Sequence, residues 1–418
     1  MRKRIEALVL VALLFIAATY LWGSPAVIVS KIPQQSSITY HDRKDNERIV
    51  PRNVTSLQHE QMVLSWKTAM HFMDWSISNH TTCLLCSRQR FLPPLPKDKE
   101  QLEQLWECPQ QENSDKLSGT QQRKMPSTVI IGAQKGGTTT LSDALFSHPD
   151  IVMSARKELH FFSFTFHLLF RNGIPDRQVR IHYQNALTID TAKRNKKKNA
   201  THFVDATPIY SFLSSRVPYW LLCTAPWVKT IMVIRNPVDR AYSEFNMHKQ
   251  RGDFAKHRIK SFEEWIAMDM LQLKKAGVIR SFRSPEELEA FSGSTEELYA
   301  WDKYLSETSE NAPIGRGLYA LQLRHWRNAF EHFQKPSSDL LILQSEKMKT
   351  GRDKIYRQVL DHMGLEYHPY PGNDTHVRQY QRPMANNTRA KLMDFFKPYN
   401  QQLVKILGDE WDGVWDSN

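Results

Sequence analysis

At 418 residues the chain exceeds the roughly 250 to 300 residues that one hydrophobic core ordinarily fills, so it holds one large domain or two ordinary ones. Its 41% apolar and 24% charged content excludes wholesale disorder, and its 4 cysteines are too few for a disulfide-scaffolded fold. The formal charge of +12, from 56 lysines and arginines against 44 aspartates and glutamates, predicts attraction to polyanions without choosing among them.

Arg2, Lys3 and Arg4 precede an apolar run, Ile5 to Gly23, whose only charge is Glu6 at its edge. About 20 helical residues cross a hydrocarbon core of about 30 Å, and basic residues on the short side favour leaving that side in the cytosol. The expectation is a cytoplasmic tail (1–4), a transmembrane signal anchor (5–23) and a body on the far side of the membrane. A signal peptide cleaved near Gly23, Ser24 and Ala26 is the alternative, and both readings place the body in the secretory pathway. Sequons at Asn53, Asn79, Asn199, Asn373 and Asn386 agree with that compartment. Residues 24–125 are polar and broken by Pro93, Pro94, Pro96 and Pro109, which reads as a stem containing short amphipathic helices. Cys83-Leu84-Leu85-Cys86 lacks the second ligand pair of a zinc site, so a disulfide in the stem is expected instead.

From residue 126 to 418 the pattern is that of a folded domain. Ser127 to Ile131 reads as a buried strand, Gly132 to Gly137 as a loop and Thr138 to Phe146 as a helix. Lys229 to Ile234 is a second strand, followed after Pro237 by a helix over Val238 to His248. Asp339 to Leu343 is a third, entered from a helix over Leu318 to Phe333. Strands alternating with helices imply an α/β fold, with a mostly parallel central sheet covered by helices on both faces. Lys260 to Ser306 is helical, with Trp265, Met268, Leu271 and Leu273 expected in the core, and Thr388–Phe396 and Tyr399–Leu407 form two helices split by Pro398.

Chemistry concentrates in two places. The run Gly132-Ala133-Gln134-Lys135-Gly136-Gly137-Thr138-Thr139-Thr140 leaves a strand and opens a helix. Its glycines let backbone wrap an anion, the helix end offers unpaired N–H groups, and Lys135 adds a full positive charge. The lysine precedes the paired glycines, so this is not the GxxxxGK[ST] loop of nucleoside-triphosphate hydrolases, and a ligand-free tight turn is the plainer alternative. In Ile234-Arg235-Asn236-Pro237-Val238-Asp239-Arg240-Ala241-Tyr242-Ser243, Arg235 stands where doubly wound sheets bind ligands, with Ser243 two helical turns on. Asp239 and Arg240 read as a local ion pair. The basic run from Lys193 to Lys198 is a solvated loop or a rim that attracts an anionic polymer.

These two segments resemble the 5′-phosphosulfate loop and the 3′-phosphate site of sulfotransferases that use 3′-phosphoadenosine 5′-phosphosulfate (PAPS). The run Lys157-Glu158-Leu159-His160-Phe161-Phe162 resembles the heparan sulfate glucosaminyl N- and 3-O-sulfotransferase branch, and the likeness extends from about Thr128 to Trp415. The resemblance implies PAPS as co-substrate, held by Lys135, Gly136, Gly137, Thr138, Thr139, Arg235 and Ser243. Arg378 and Arg382 either close over the 3′-phosphate or are merely exposed. It implies Lys135 at the leaving oxygen, Glu158 as general base and His160 as helper or structural residue, with no metal required. The partner it implies is a carbohydrate acceptor of polysaccharide type, not a nucleic acid, and the setting a single-pass Golgi membrane protein. Ala206 stands where the 3-O-sulfotransferases carry a lysine, and no cysteine follows Cys223, so their particular acceptor does not carry over. A kinase-like lumenal enzyme and a non-catalytic binder of acidic glycans are the competing readings.

Overall fold

Five short, mostly aliphatic runs pair into one sheet. The computed structural model describes residues 95–108, 125–154, 157–165, 176–188, 200–254, 259–282, 284–308, 312–372 and 382–415. The strands are β1 (Thr128–Gly132), β2 (Ile151–Met153), β3 (His202–Ala206), β4 (Lys229–Ile234) and β5 (Leu340–Gln344), ordered β2-β3-β1-β4-β5. Every pairing is parallel, with Thr128 opposite both Val204 and Lys229 and Thr230 opposite Leu340. The three expected strands are β1, β4 and β5. The other two were not expected, since β2 has only three residues and β3 carries an aspartate in its interior.

The helices are α1 (Lys99–Trp106), α2 (Thr138–Ser147), α3 (Asp176–Thr188), α4 (Val217–Thr224), α5 (Pro237–Arg251), α6 (Phe262–Ala276), α7 (Pro285–Phe291), α8 (Thr295–Glu307), α9 (Tyr319–His332), α10 (Ser345–Thr350), α11 (Arg352–Met363) and α12 (Asn386–Leu407). Alternate residues of each strand enter opposite cores, as the period of two demands. Ile130, Ile231, Val233 and Leu343 pack with Leu141 and Leu145 of α2 and Tyr356, Val359 and Leu360 of α11. Val129, Ile131, Met232 and Ile234 join the larger core, which holds Trp265, Trp301, Tyr304 and Trp326. Both faces are thus covered, which is why β1 and β4 are almost wholly apolar.

Local chemistry sets many helix ends. Ser261, Ser284 and Ser294 each accept a hydrogen bond from the backbone N–H of a glutamate three residues on, capping α6, α7 and α8. Gly252, Gly277 and Gly364 end α5, α6 and α11 in the left-handed region.

Three expectations change. Met268 and Leu271 are 42% and 53% exposed, because the inward stripe of α6 runs through Phe262, Trp265, Ile266, Asp269 and Leu273. Pro398 does not split the last helix: α12 is continuous, because Leu392 and Phe396 before it and Leu403 after it are buried in one core. That packing outweighs the one backbone hydrogen bond a proline removes. Asp239 and Arg240 do not pair with each other. Asp239 accepts from Arg389, while buried Arg240 and Arg316 both bind buried Glu244, at 2.7 and 2.6 Å.

Residues 95–108, within the stretch read as stem, pack on the domain. Leu95 and Leu102 are buried, Trp106 stacks on Tyr219 of α4 at 4.2 Å, and Cys108 is disulfide-bonded to Cys223. The apolar run 5–23, the Cys83/Cys86 pair, the basic run 193–198 and Arg378 lie outside the described residues. Among the described residues no helix is long and apolar enough to cross a membrane.

Candidate active site

The sheet reverses its winding at β1, with β3 on one side and β4 on the other, so the crevice beyond the carboxyl ends of these strands is the place where an open parallel sheet binds ligands. The register of β1 against β4 slips just there, from Ile130 opposite Ile231 to Gly132 opposite Met232, and this irregularity launches the loop.

The loop is drawn tightly onto its neighbours. Ala133 N–H donates to Val233 O at 2.7 Å, and Gly136 N–H closes a turn on Ala133 O at 2.8 Å. A Cβ on Gly136 would lie 2.3 Å from Val233 O, and one on Gly132 would lie 2.1 Å from Ser211 Oγ. Gly137, with φ 108°, precedes α2 and supplies no side-chain cap, so the first turn of Thr138, Thr139 and Thr140 presents its amides as an anion cradle. Lys135 sits inside the turn at φ 68°. A non-glycine residue there costs on the order of 1 to 3 kcal/mol and persists only where its surroundings over-determine it.

A second loop comes from the other side of β1. Glu158 N–H donates to Ala206 O at the end of β3, at 3.1 Å. Glu158 and His160 have φ 65° and 55°, so they are left-handed and not the extended segment that would place both side chains on one face by simple alternation. They meet nevertheless, with His160 Nε2 at 3.6 Å from Glu158 Oε2 and His160 Nδ1 at 3.1 Å from Ser163 Oγ. Among the described residues four non-glycine residues have positive φ, and three of them are Lys135, Glu158 and His160. Strain so concentrated points to function.

Lys157 ties the two loops together. Its ammonium donates to Thr139 Oγ1 in the first turn of α2 and stands 3.8 Å from Glu158 Oε1. Burial pushes the Glu158 carboxyl up, but the adjoining imidazole of His160 and the charges of Lys157 and Arg251 prevail and hold it below the usual carboxylate range. It is therefore ionised at neutral pH.

Asp205 lies beneath, fully buried, accepting from Thr207 Oγ1 at 2.6 Å, Tyr183 OH at 2.8 Å and Tyr210 OH at 3.3 Å. Burial pushes its carboxyl up against the opposing effect of those hydroxyls. Buried so, it is no candidate for a base that meets an outside acceptor.

Arg235 leaves the end of β4, next to β1, and its carbonyl accepts from Tyr319 OH at 2.9 Å. Asn236 fixes the turn by capping α5 through Val238 and Asp239 N–H, at 2.9 and 3.3 Å, while its own N–H donates to Glu346 at 2.9 Å. Gly317 permits this crowding, since a Cβ there would meet Phe396 and Pro237 at 2.9 Å. Ser243 is buried in α5, and the neighbouring Tyr242 holds the carbonyl of exposed Arg382 at 2.8 Å. Lys157, Asp205, Thr207, Tyr210 and Glu346 were absent from the expected set. Asn236 was also missed, although an asparagine ahead of Pro-Val-Asp is a helix-cap signature.

An open parallel sheet with an uncapped helix end, a lysine in a strained glycine turn and an ionised carboxylate on the adjoining loop is the arrangement of an anion-handling group-transfer site. Residues 125–402 match the sulfotransferase domain family, and the chain belongs to it. The chain is 26% identical over 325 residues to mouse heparan sulfate glucosamine 3-O-sulfotransferase 3B1, covering 72% of this chain and 67% of that protein. It is 22% identical to the membrane-associated sulfotransferase kil1 of Dictyostelium discoideum, covering 69% and 66%, and 24% identical to human carbohydrate sulfotransferase 15, covering 69% and 54%. About a third to nearly a half of these relatives' own length is therefore unmatched.

Proposed function

We propose that the protein transfers a sulfuryl group from PAPS to a hydroxyl of a carbohydrate polymer. The observation that carries this reading is that the Lys135 turn and the Glu158 loop, on opposite neighbours of β1, meet through Lys157 and Thr139 at the carboxyl edge of the sheet. The donor fits the residues present. Gly136 and Gly137 leave room for backbone amides to approach its 5′ end, and the start of α2 favours negative charge. PAPS, when bound, supplies the sulfuryl group and a good leaving group.

The remaining roles belong to the chain. Lys135 and the amides of Thr138 and Thr139 neutralise charge at the leaving phosphate, a fixed-charge effect strongest where water is excluded. Glu158, already ionised, takes the proton of the acceptor hydroxyl, and His160 holds the carboxylate in place. Arg235 and Ser243 hold the 3′-phosphate. The relatives named for heparan sulfate and carbohydrate support a glycan acceptor. The apolar run 5–23 behind Arg2, Lys3 and Arg4, together with a relative named as membrane-associated, supports a type II Golgi anchor.

The test is transfer of sulfur-35 from labelled PAPS to a panel of desulfated glycans, followed by disaccharide analysis. A labelled product is expected; no transfer to any glycan, with PAP bound normally, would leave a non-catalytic glycan binder.

A further inference from the structure

We propose that Asp205 is a positioning residue, which sets the loop carrying the catalytic carboxylate through the hydroxyls of Thr207 and Tyr210. The proposal rests on the assignment of Glu158 as base. Glu158 and His160 are held in the left-handed region partly by contacts inside the loop, to each other and to Ser163, and partly by what the loop rests on. Beyond the Glu158 N–H bond to Ala206 O, it rests on two hydroxyls. His160 N–H points at Thr207 Oγ1, 3.4 Å away, and Phe162 N–H donates to Tyr210 OH at 3.2 Å. Both hydroxyls in turn donate to the same carboxylate, Thr207 to Oδ1 at 2.6 Å and Tyr210 to Oδ2 at 3.3 Å.

A hydroxyl has one proton. Three hydroxyls converge on the two oxygens of Asp205, which accepts from all of them and so claims the protons of Thr207 and Tyr210, leaving their lone pairs facing the two amides of the loop. Reverse either hydroxyl and a donor faces a donor. The arrangement is thus a polarity relay, from a buried acceptor through two hydroxyls to the backbone at His160 and Phe162. The third hydroxyl, of Tyr183 in α3, also donates to Oδ2, at 2.8 Å. Its ring stacks on Phe161 at 4.6 Å, but the loop amides of His160 and Phe162 use Thr207 and Tyr210. Tyr183 therefore supports the carboxylate without relaying it.

Asp205→Asn keeps the shape and breaks the polarity, because its NH2 must face either Thr207 or the two tyrosines, and in each orientation a relaying hydroxyl meets a donor. The expected result is a kcat lowered about tenfold to a hundredfold, the range for a catalytic group displaced by a fraction of an ångström to one ångström. KM for PAPS and the affinity for PAP should stay within about threefold, since the phosphate turn is untouched. Should Asp205→Asn fail to fold, Thr207 gives the same answer: Thr207→Ser keeps the hydroxyl and should keep kcat, whereas Thr207→Val should lose it. Tyr183→Phe should lower the melting temperature and leave kcat unchanged. Wild-type turnover by Thr207→Val, alongside a Glu158→Gln variant that has lost it, overturns the relay alone, as does a Tyr183→Phe loss equal to that of Asp205→Asn. Normal turnover by Glu158→Gln overturns the base assignment and the relay together.

Discussion

Gly136→Ala tests whether the turn after β1 is the donor site. The added methyl would stand 2.3 Å from Val233 O and 2.9 Å from Ala133 O, where ordinary contact begins near 3.4 Å. Both neighbours are backbone, and Ala133 is itself tied to Val233 by a 2.7 Å hydrogen bond, so no side chain can swing aside. The turn has to lift from β4 by about 1 Å. A displacement of that size at a reacting centre costs about a hundredfold, close to 2.7 kcal/mol in transition-state binding, and overpacking removes a further 1 to 3 kcal/mol or so of stability. Gly252→Ala is the control: it meets nothing within 4 Å, at φ 73°, and bears only the backbone cost of that conformation. The assay is kcat/KM for transfer from labelled PAPS, with PAP affinity and thermal unfolding measured alongside. Loss of activity and PAP binding in Gly136→Ala, with Gly252→Ala fully active, is expected. If Gly136→Ala kept kcat/KM within about threefold of wild type, donor binding on this turn would be refuted.

Four other outcomes follow from the geometry. Lys135→Ala should lower transfer by a factor on the order of a hundred to a thousand with an unchanged melting temperature; full activity would remove this residue from the mechanism. Glu158→Gln should bind PAP normally and lose about a hundredfold to ten-thousandfold in kcat. Because the Glu158 carboxyl is held low, its basic form is present above the depressed value and lost as pH falls through it. The acid limb of kcat/KM should thus lie below the ordinary glutamate value of about 4.3 and move up in His160→Ala; an unmoved limb would dissociate His160 from the carboxylate. Finally, Cys108→Ser opens a link between residues 115 apart in sequence. It should destabilise the domain by about 2 to 5 kcal/mol, read by thermal or denaturant unfolding, and an identical transition in the variant would show that this disulfide adds nothing to the fold.

How much was legible beforehand varied by element. The Lys135 turn and the Arg235 turn were readable because each is punctuated locally: an apolar strand, glycines or Asn-Pro, then a helix. The run holding Glu158 was readable by resemblance, but its geometry was not, since the contact of Lys157 with Thr139 joins residues 18 apart across β1 and β3. Met268 and Leu271 looked apolar enough for the core and lie outside it because Asp269 takes the inward position, binding Tyr304 OH and the amides of Ile314 and Gly315.

The chain's own letters determined the α/β alternation, the glycine turn after β1 and the family, all of which rest on short-range patterns of apolarity, glycine and proline. Only the folded sheet decided that β3 would lie beside β1, so that a buried aspartate could sit under the Glu158 loop, and that α12 would run straight through Pro398. The physical reason is the same in each case. Parallel pairing and core packing join residues distant in sequence, and their energies override the local preferences that a linear reading weighs.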